Sequence, residues 1–234
     1  MKDNLFEVLS QLTTPHIADG CLSVGDPVRC APAGVKPLAD GMRCAGRVRP
    51  IQHGGSIDIF FEALEDMPRG EVLVVDNGGR LEEACIGDIV LLEAKAAGAA
   101  GIVIWGLVRD AQELSEIGFP VFSLGSLPTG PQRHSHRSAD VLQRATIGRC
   151  SVTARDFVVA DANGVLFIAE DRLEEIIAAA MSYRDSEARL LDAMDKGTDF
   201  RTQIRFTEYL SRRRQDASYG FRQHLNSLKA AGEV

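Results

Sequence analysis

The chain has 234 residues, 45% of them hydrophobic and 25% charged, with a net charge of −7 at pH 7. That length allows one or two domains with a substantial core, and the acidic balance excludes broad electrostatic attraction to nucleic acid. Five widely spaced cysteines with no CxxC exclude a disulfide framework or zinc ribbon and suit a reducing compartment. No signal-type apolar core opens the chain, and no apolar run approaches the roughly 20 residues of a membrane span. The expectation is a cytoplasmic protein without membrane or nucleic-acid partners.

In chain order, residues 4–12 have the pattern of a short amphipathic helix, and Thr13, Thr14 and Pro15 start a second. Residues 26–40 read as loop with short extended pieces. A strand is expected over 42–51, and Ile57, Phe60, Phe61 and Leu64 place a helix within 55–67. "EVLVVD" (71–76), "GIVIW" (101–105) and "PVFSLG" (120–125) are short runs of buried-strand character. A helix over 89–97, ended by Gly98, and another over 109–118 separate them. Strand, helix, strand, helix, strand is the pattern of parallel pairing with helical crossovers. A polar loop (126–140) precedes strands at 144–152, 156–161 and 164–169, with a hairpin turn at Asn163-Gly164. Asp171 and Glu174 form a capping-box pattern before a helix ending near Gly197, long enough to reach beyond the core. The remainder is arginine-rich and helix-prone.

One stretch combines core and charge. "GDIVLLEAKAAGAAGIVIWGLVRD" (87–110) is mostly aliphatic, yet Asp88 stands at its entrance and Arg109-Asp110 at its exit, with 20 residues between Asp88 and Arg109. The first amides of a helix beginning at Gly87 point outward beside the positive end of its dipole and suit a small carboxylate. The donors would be the N–H groups near Ile89 and Val90, and Gly87 permits close approach. Ligands of open parallel sheets gather beyond the carboxyl ends of strands, where both charged ends of this unit fall. Arg109 suits a carboxylate or enolate oxygen, and Asp110 is a hard oxygen donor for Mg²⁺ or Mn²⁺. Asp88 can orient a water for proton transfer. The same residues also suit a capped helix start with surface charges, and spacing leaves both readings open.

"VVDNGGRLEEACIGD", "AKAAGAAGIVIWGLVRD" and "PVFSLGSLPTGP" resemble the RraA-like family, which includes 4-hydroxy-4-methyl-2-oxoglutarate/4-carboxy-4-hydroxy-2-oxoadipate aldolases. The likeness runs over about residues 5–180, and the family's Asp, twenty residues, Arg-Asp motif is matched by Asp88, Arg109 and Asp110. The resemblance implies an α/β fold, an α-β-β-α sandwich related to the phosphohistidine swivelling domains. It implies a catalytic domain over 1–180, with a helical C-terminal extension over 181–234 serving contacts between subunits. The assembly implied is a trimer or dimer of trimers. The activity implied is a divalent-metal-dependent (Mg²⁺ or Mn²⁺) class II aldolase. It would cleave a 4-hydroxy-2-oxo acid to pyruvate and a second carbonyl compound through a metal-stabilised enolate, with oxaloacetate decarboxylase activity. By the same likeness, Gly87, Asp88, Ile89, Val90 and Arg109 contact substrate, Asp110 holds the metal, and Glu187 is the counterpart of a glutamate supplied by the neighbouring subunit. The alternative it implies is a non-catalytic regulator that binds and inhibits a ribonuclease; the aspartate at 88 favours the enzyme. Trp105 stands where many members carry an aspartate.

Other features carry less. His134 and His136 form an HxH in the polar loop without a third ligand. His16 and His53 belong to no motif and read as structural. Cys85 reads as a small buried filler, Gly78-Gly79 lacks the pattern of a nucleotide loop, and 161–164 reads as a turn. Arg212–Arg214 is expected to be a solvated helical face or a contact between subunits.

Overall fold

Valine and isoleucine runs that alternate between two apolar faces build the middle of an eight-stranded sheet. The strands are β1 (Arg29–Cys30), β2 (Lys36–Pro37), β3 (Cys44–Gln52), β4 (Val72–Asp76), β5 (Ala84–Ile86), β6 (Gly101–Trp105), β7 (Leu107–Val108), β8 (Val121–Ser123), β9 (Arg144–Ile147), β10 (Cys150–Thr153), β11 (Asp156–Asp161) and β12 (Gly164–Ala169). The helices are α1 (Thr14–Ser23), α2 (Asp58–Leu64), α3 (Asp88–Ala97), α4 (Ala111–Ile117), α5 (Leu173–Asp195), α6 (Phe200–Gln203), α7 (Phe206–Gln215) and α8 (Phe221–Ala230). This computed structural model describes residues 8, 9, 11–135 and 137–230. Among them, no helix is long and apolar enough to cross a membrane. By its internal contacts the chain divides into two units, Met1–Ala180 and Met181–Val234.

In the first unit the sheet order is β1-β12-β11-β3-β4-β6-β8-β2. The expected strand–helix–strand–helix–strand unit is β4-α3-β6-α4-β8, and β3, β4, β6 and β8 run parallel. Leu73, Val75, Ile102 and Ile104 pack with Phe60, Leu91 and Leu114 of the helices on one face. Val72, Val74 and Val103 turn to the other face, where Val158, Phe167, Ala145 and Val152 enclose a second core. This period-2 division lets one strand serve two layers, as a parallel strand buried on both faces must. The sheet curls: Lys36 Nζ, on the edge strand β2, donates to the Asn163 carbonyl at 2.9 Å beside β12.

Several elements differ in detail from their expected form. The strand expected over 144–152 is a hairpin, β9 with β10, turned at Gly148 (φ 61°). Strands β5 and β7 were not foreseen, being only three and two residues long. The capping box expected at Asp171 is not formed; Asp171 lies inside a 3₁₀ turn (Glu170–Arg172) that precedes α5 and has no side-chain cap. Such a box does form at α1, where Thr13 is the cap and His16 Nδ1 accepts from the Thr13 N–H at 3.2 Å. Of the opening helix, Val8 and Leu9 are helical, and residues 4–7 and 10 lie outside the described residues.

Asp161 ties the hairpin β11–β12 to α1. Its buried carboxylate accepts from Thr14 N and Thr14 Oγ1, both at 2.7 Å, and from Asn163 N at 2.8 Å. Burial pushes this carboxyl up, but the bonds from Thr14 and Asn163 outweigh it and hold it below the usual carboxylate range. The stretch read as a turn therefore also anchors the first helix.

The second unit gathers α6, α7 and α8 around aromatic rings. Tyr209 lies 5.1 Å from Phe221 and 5.5 Å from the fully buried His224, centroid to centroid. His224 Nε2 is 2.8 Å from the Ile204 carbonyl. Two of the three clustered arginines are not simply solvated. Arg212 covers the Tyr219 ring at 5.6 Å, and Arg213 Nη1 donates to the Tyr209 hydroxyl at 2.6 Å. Arg214 is exposed.

Candidate active site

The short parallel pair β5–β7 sets Ile86 opposite Val108, so the next residues of each strand leave side by side. Those residues are Gly87-Asp88 and Arg109-Asp110. The Arg109 N–H donates to the Ile86 carbonyl at 2.9 Å, which locks the register at the point of exit. The two charged ends of the 87–110 unit therefore meet, as expected, but through β5 and β7 rather than directly from the ends of β4 and β6.

Gly87 is the N-cap of α3 in an extended conformation (φ −132°). A Cβ at this position would lie 2.1 Å from Asp110 Oδ2 and 3.0 Å from Arg109 Nε. The space glycine leaves is thus filled by the chain's own ion pair, where the sequence reading had placed a ligand. Asp110 Oδ2 accepts from the Asp88 N–H at 3.4 Å, and Arg109 Nε stands 3.4 Å from the same oxygen. Asp88 Oδ1 in turn accepts from the Ile89 N–H at 2.8 Å. Two carboxylates hence occupy the positive mouth of α3, which is where the amide and dipole argument puts negative charge. Ile89 is 60% exposed, and Val90 is buried.

Asp110 has φ 55° and ψ 42°, a left-handed conformation rare for a non-glycine residue. It is the N-cap of α4 but gives that helix no side-chain bond. Its carboxylate faces Gly87 instead. A half-exposed ion pair is worth about 0–1 kcal/mol, against roughly 1–3 kcal/mol for a strained backbone position. The pair does not by itself account for the conformation; β7 and α4 on either side impose it.

The loop after β8 completes the rim. Leu127 N donates to the Val108 carbonyl at 2.8 Å and Ala84 N to the Thr129 carbonyl at 2.9 Å. A Cβ on Gly130 would lie 3.2 Å from Arg109 Nη1, so this loop forms one wall beside the guanidinium. Farther along, Arg133 donates to Glu83 Oε1 at 2.7 Å and to Asn77 Oδ1 at 2.9 Å. His53 Nδ1 lies 2.8 Å from the same Asn77 oxygen, and Gln132 N donates to Glu83 Oε2 at 3.0 Å. Burial pushes the Glu83 carboxyl up, but the Gln132 and Arg133 bonds outweigh it and leave it below its usual range. Glu83 directly precedes β5 and is buried, so it fastens the loop to the strand that delivers Gly87. Sequence reading missed this brace. An acidic residue set against the small, apolar Ala84-Cys85-Ile86 was its only signal. His53 does prove structural.

Gly78 and Gly79 form no nucleotide loop: a Cβ on Gly79 (φ 66°) would lie 2.6 Å from the Trp105 ring, so the glycine clears room for that indole. Cys85 is fully enclosed, and burial drives its thiol far above the usual range. His134 lines a hollow beside His53, and His136 lies outside the described residues. Glu187 sits on α5 within the second unit. Among the described residues no group of three or more His, Cys, Asp or Glu side chains could hold a metal. That excludes a closed zinc-type cage there but not a hydrated hard cation, which needs only one or two protein carboxylates.

Comparison with known proteins places the fold. One relative, the protein DlpA of Legionella pneumophila, is 26% identical over 201 residues, covering 83% of this chain but only 32% of its own length. The 4-hydroxy-4-methyl-2-oxoglutarate aldolase of Thermus thermophilus is 32% identical, covering 58% of this chain and 81% of that protein. Among solved structures, Streptomyces coelicolor RraAS2, described as an unusual member of the RNase ES inhibitor RraA family, superposes with a TM-score of 0.69. It is 25% identical, over 82% of this chain and 98% of that one. An uncharacterized protein from Pseudomonas syringae reaches a TM-score of 0.75 at 25% identity, over 84% of this chain and 94% of that one. The family model described as RraA-like, Aldolase/RraA, matches residues 14–167, and the chain belongs to the RraA-like family.

Proposed function

We propose that the chain is a divalent-metal-dependent carbon–carbon lyase, a class II aldolase that cleaves a 4-hydroxy-2-oxo acid to pyruvate and a second carbonyl compound and also decarboxylates oxaloacetate. The observation that supports it is the meeting of Gly87-Asp88 with Arg109-Asp110 at the mouth of α3, with Asp110 held in a left-handed conformation that aims its carboxylate there. Aldolase-named relatives add support.

Asp110 would hold the cation, Mg²⁺ or Mn²⁺. Its contacts at 3.4 Å are long and easily exchanged, and a single half-buried carboxylate suits an ion that keeps most of its water. When bound, such an ion polarises a 2-oxo carbonyl. Arg109 would grip the substrate carboxylate in two-point fashion, aided by the amides at the start of α3. Asp88 would hold and orient a water that carries the proton. Glu187, from a neighbouring copy in a trimer or dimer of trimers, would assist in placing that water.

Pyruvate release from oxaloacetate and from a 4-hydroxy-2-oxo acid, read by a coupled assay, tests the reading. Activity should require added Mg²⁺ or Mn²⁺, and Arg109→Ala should lower turnover by roughly 10²–10³-fold. Absence of metal-dependent turnover on all such substrates rejects it. A second reading, a ribonuclease-binding regulator, is favoured by likeness to RraAS2 and to the RNA-processing inhibitor RraA of Thermus thermophilus, which is 30% identical. Inhibition of a ribonuclease by a chain carrying Asp110→Ala, without lyase activity in the parent, would establish that reading instead.

A further inference from the structure

The charges that meet at the mouth of α3 limit what a substrate can carry there. Among the described residues, the contacts at that point gather one cation, Arg109, and two carboxylates, Asp88 and Asp110. These three side chains sum to a single negative charge. A bound divalent ion, on the lyase reading, turns the sum into a single positive charge, which one substrate carboxylate neutralises. A second carboxylate would stand without a cation beside Asp88 and Asp110, and like charges at close range repel. Glu187 of a neighbouring copy would add negative charge, not a second cation.

The walls point the same way. Gly130 is the residue that faces Arg109 Nη1, 3.2 Å from a Cβ built on it, and Leu127, Pro128 and Thr129 before it are uncharged. The next cation along that loop, Arg133, has its donors committed. Nε bonds to Glu83, Nη1 to Ser135, and Nη2 to the His53 carbonyl and Asn77. Arg80 stands 3.9 Å from the same Glu83 carboxylate. On the helix side, Ile89 follows Asp88 in the first turn of α3 and is 60% exposed; Leu92, one turn on, is also exposed. An alkyl tail gains by covering apolar surface of this kind, and a carboxylate does not.

We propose that the site selects 4-hydroxy-2-oxo monocarboxylates with a short uncharged group beyond C4 over the corresponding dicarboxylates, with Ile89 as a specificity-determining residue. The inference rests on the lyase reading of the same site. In the cleavage the C4 hydroxyl gives up its proton, the C3–C4 bond breaks, and its electron pair stays on C3, which takes up a proton. The products are pyruvate and a neutral aldehyde or ketone.

Two five-carbon acids without a 4-hydroxyl, 2-oxopentanoate and 2-oxoglutarate, differ in a methyl group for a carboxylate and cannot be cleaved this way. Calorimetric titration of each into the full chain with Mg²⁺ should show 2-oxopentanoate binding roughly tenfold more tightly. Ile89→Arg, at an exposed position, should narrow or reverse that ratio by giving 2-oxoglutarate a cation. In the pyruvate assay, kcat/KM for 4-hydroxy-2-oxopentanoate should exceed that for 4-hydroxy-4-methyl-2-oxoglutarate by a similar factor. Binding of 2-oxoglutarate as tight as that of 2-oxopentanoate overturns the selectivity and leaves the lyase reading standing. Binding of neither acid, with no turnover, rejects both. A ratio unmoved in Ile89→Arg takes the specificity role from Ile89.

Discussion

Asp110 and Gly87 define each other. The glycine is needed because a methyl group there would stand 2.1 Å from the Asp110 carboxylate, and the carboxylate lies there because its backbone is left-handed. Gly87→Ala should lower lyase turnover by roughly a hundredfold while thermal unfolding moves little, since displacement of reacting groups by about 1 Å has that effect on rate. Asp110→Gly should do something different: abolish activity and metal binding yet raise stability by up to about 1 kcal/mol, because glycine adopts this conformation without strain. Calorimetric unfolding beside the pyruvate assay checks both, and a destabilised Asp110→Gly would mean that the conformation carries no strain. Asp161 offers the opposite case, a buried carboxylate serving structure. Asp161→Ala should lose about 2–3 kcal/mol. Its folded value lies below the ordinary 3.8, so its contribution is present above pH 3.8 and is lost as pH falls below it, seen as steepened acid unfolding in the parent.

At the scale of elements, the loop after β8 is held by one buried arrangement. Removing Arg133 leaves enclosed Glu83 with only the longer Arg80 contact at 3.9 Å, so Arg133→Met should destabilise the chain by about 3 kcal/mol, at the low end for a broken buried pair because Arg133 is 23% exposed and Arg80 stays. Adding Glu83→Gln should recover part of that loss. The single variant should also raise the KM for substrate, since the loop then frees its wall beside Arg109. His53 adds a pH signature. Its folded value lies below 6.5, so between the two values the unfolded chain binds the extra proton and stability declines as pH falls. Denaturant titrations between about pH 7 and 5 should show this slope, and His53→Gln should flatten it. Crossover helices, hairpin and long helix α5 were legible because each repeats its apolar spacing over several turns or pairs. Strands β5 and β7 were not, because runs of three and two residues carry no periodicity, and only their mutual pairing makes them strands.

For the whole molecule, the question is whether a site on the first unit is completed by α5 of another copy. If Glu187 serves a neighbouring subunit, Glu187→Ala and Asp110→Ala chains, each inactive alone, should regain part of the activity when unfolded together and reassembled. Light scattering should report a trimer or hexamer. No regain in a mixed oligomer would place the whole site within one chain.

Apolar spacing sufficed for the parallel crossover unit, and the resemblance of whole stretches such as residues 74–88 and 94–110 sufficed for the family, because burial periodicity and a motif of fixed separation are properties of the line of residues. The brace of His53, Asn77, Glu83 and Arg133 joins four separated stretches of chain, so no local pattern could announce it. The left-handed backbone at Asp110 and the filling of the Gly87 hollow by an ion pair were likewise decided by tertiary structure. Which groups meet in a close-packed site depends on strand pairing and steric clearance across the fold, and neither is written in the order of neighbours along the chain.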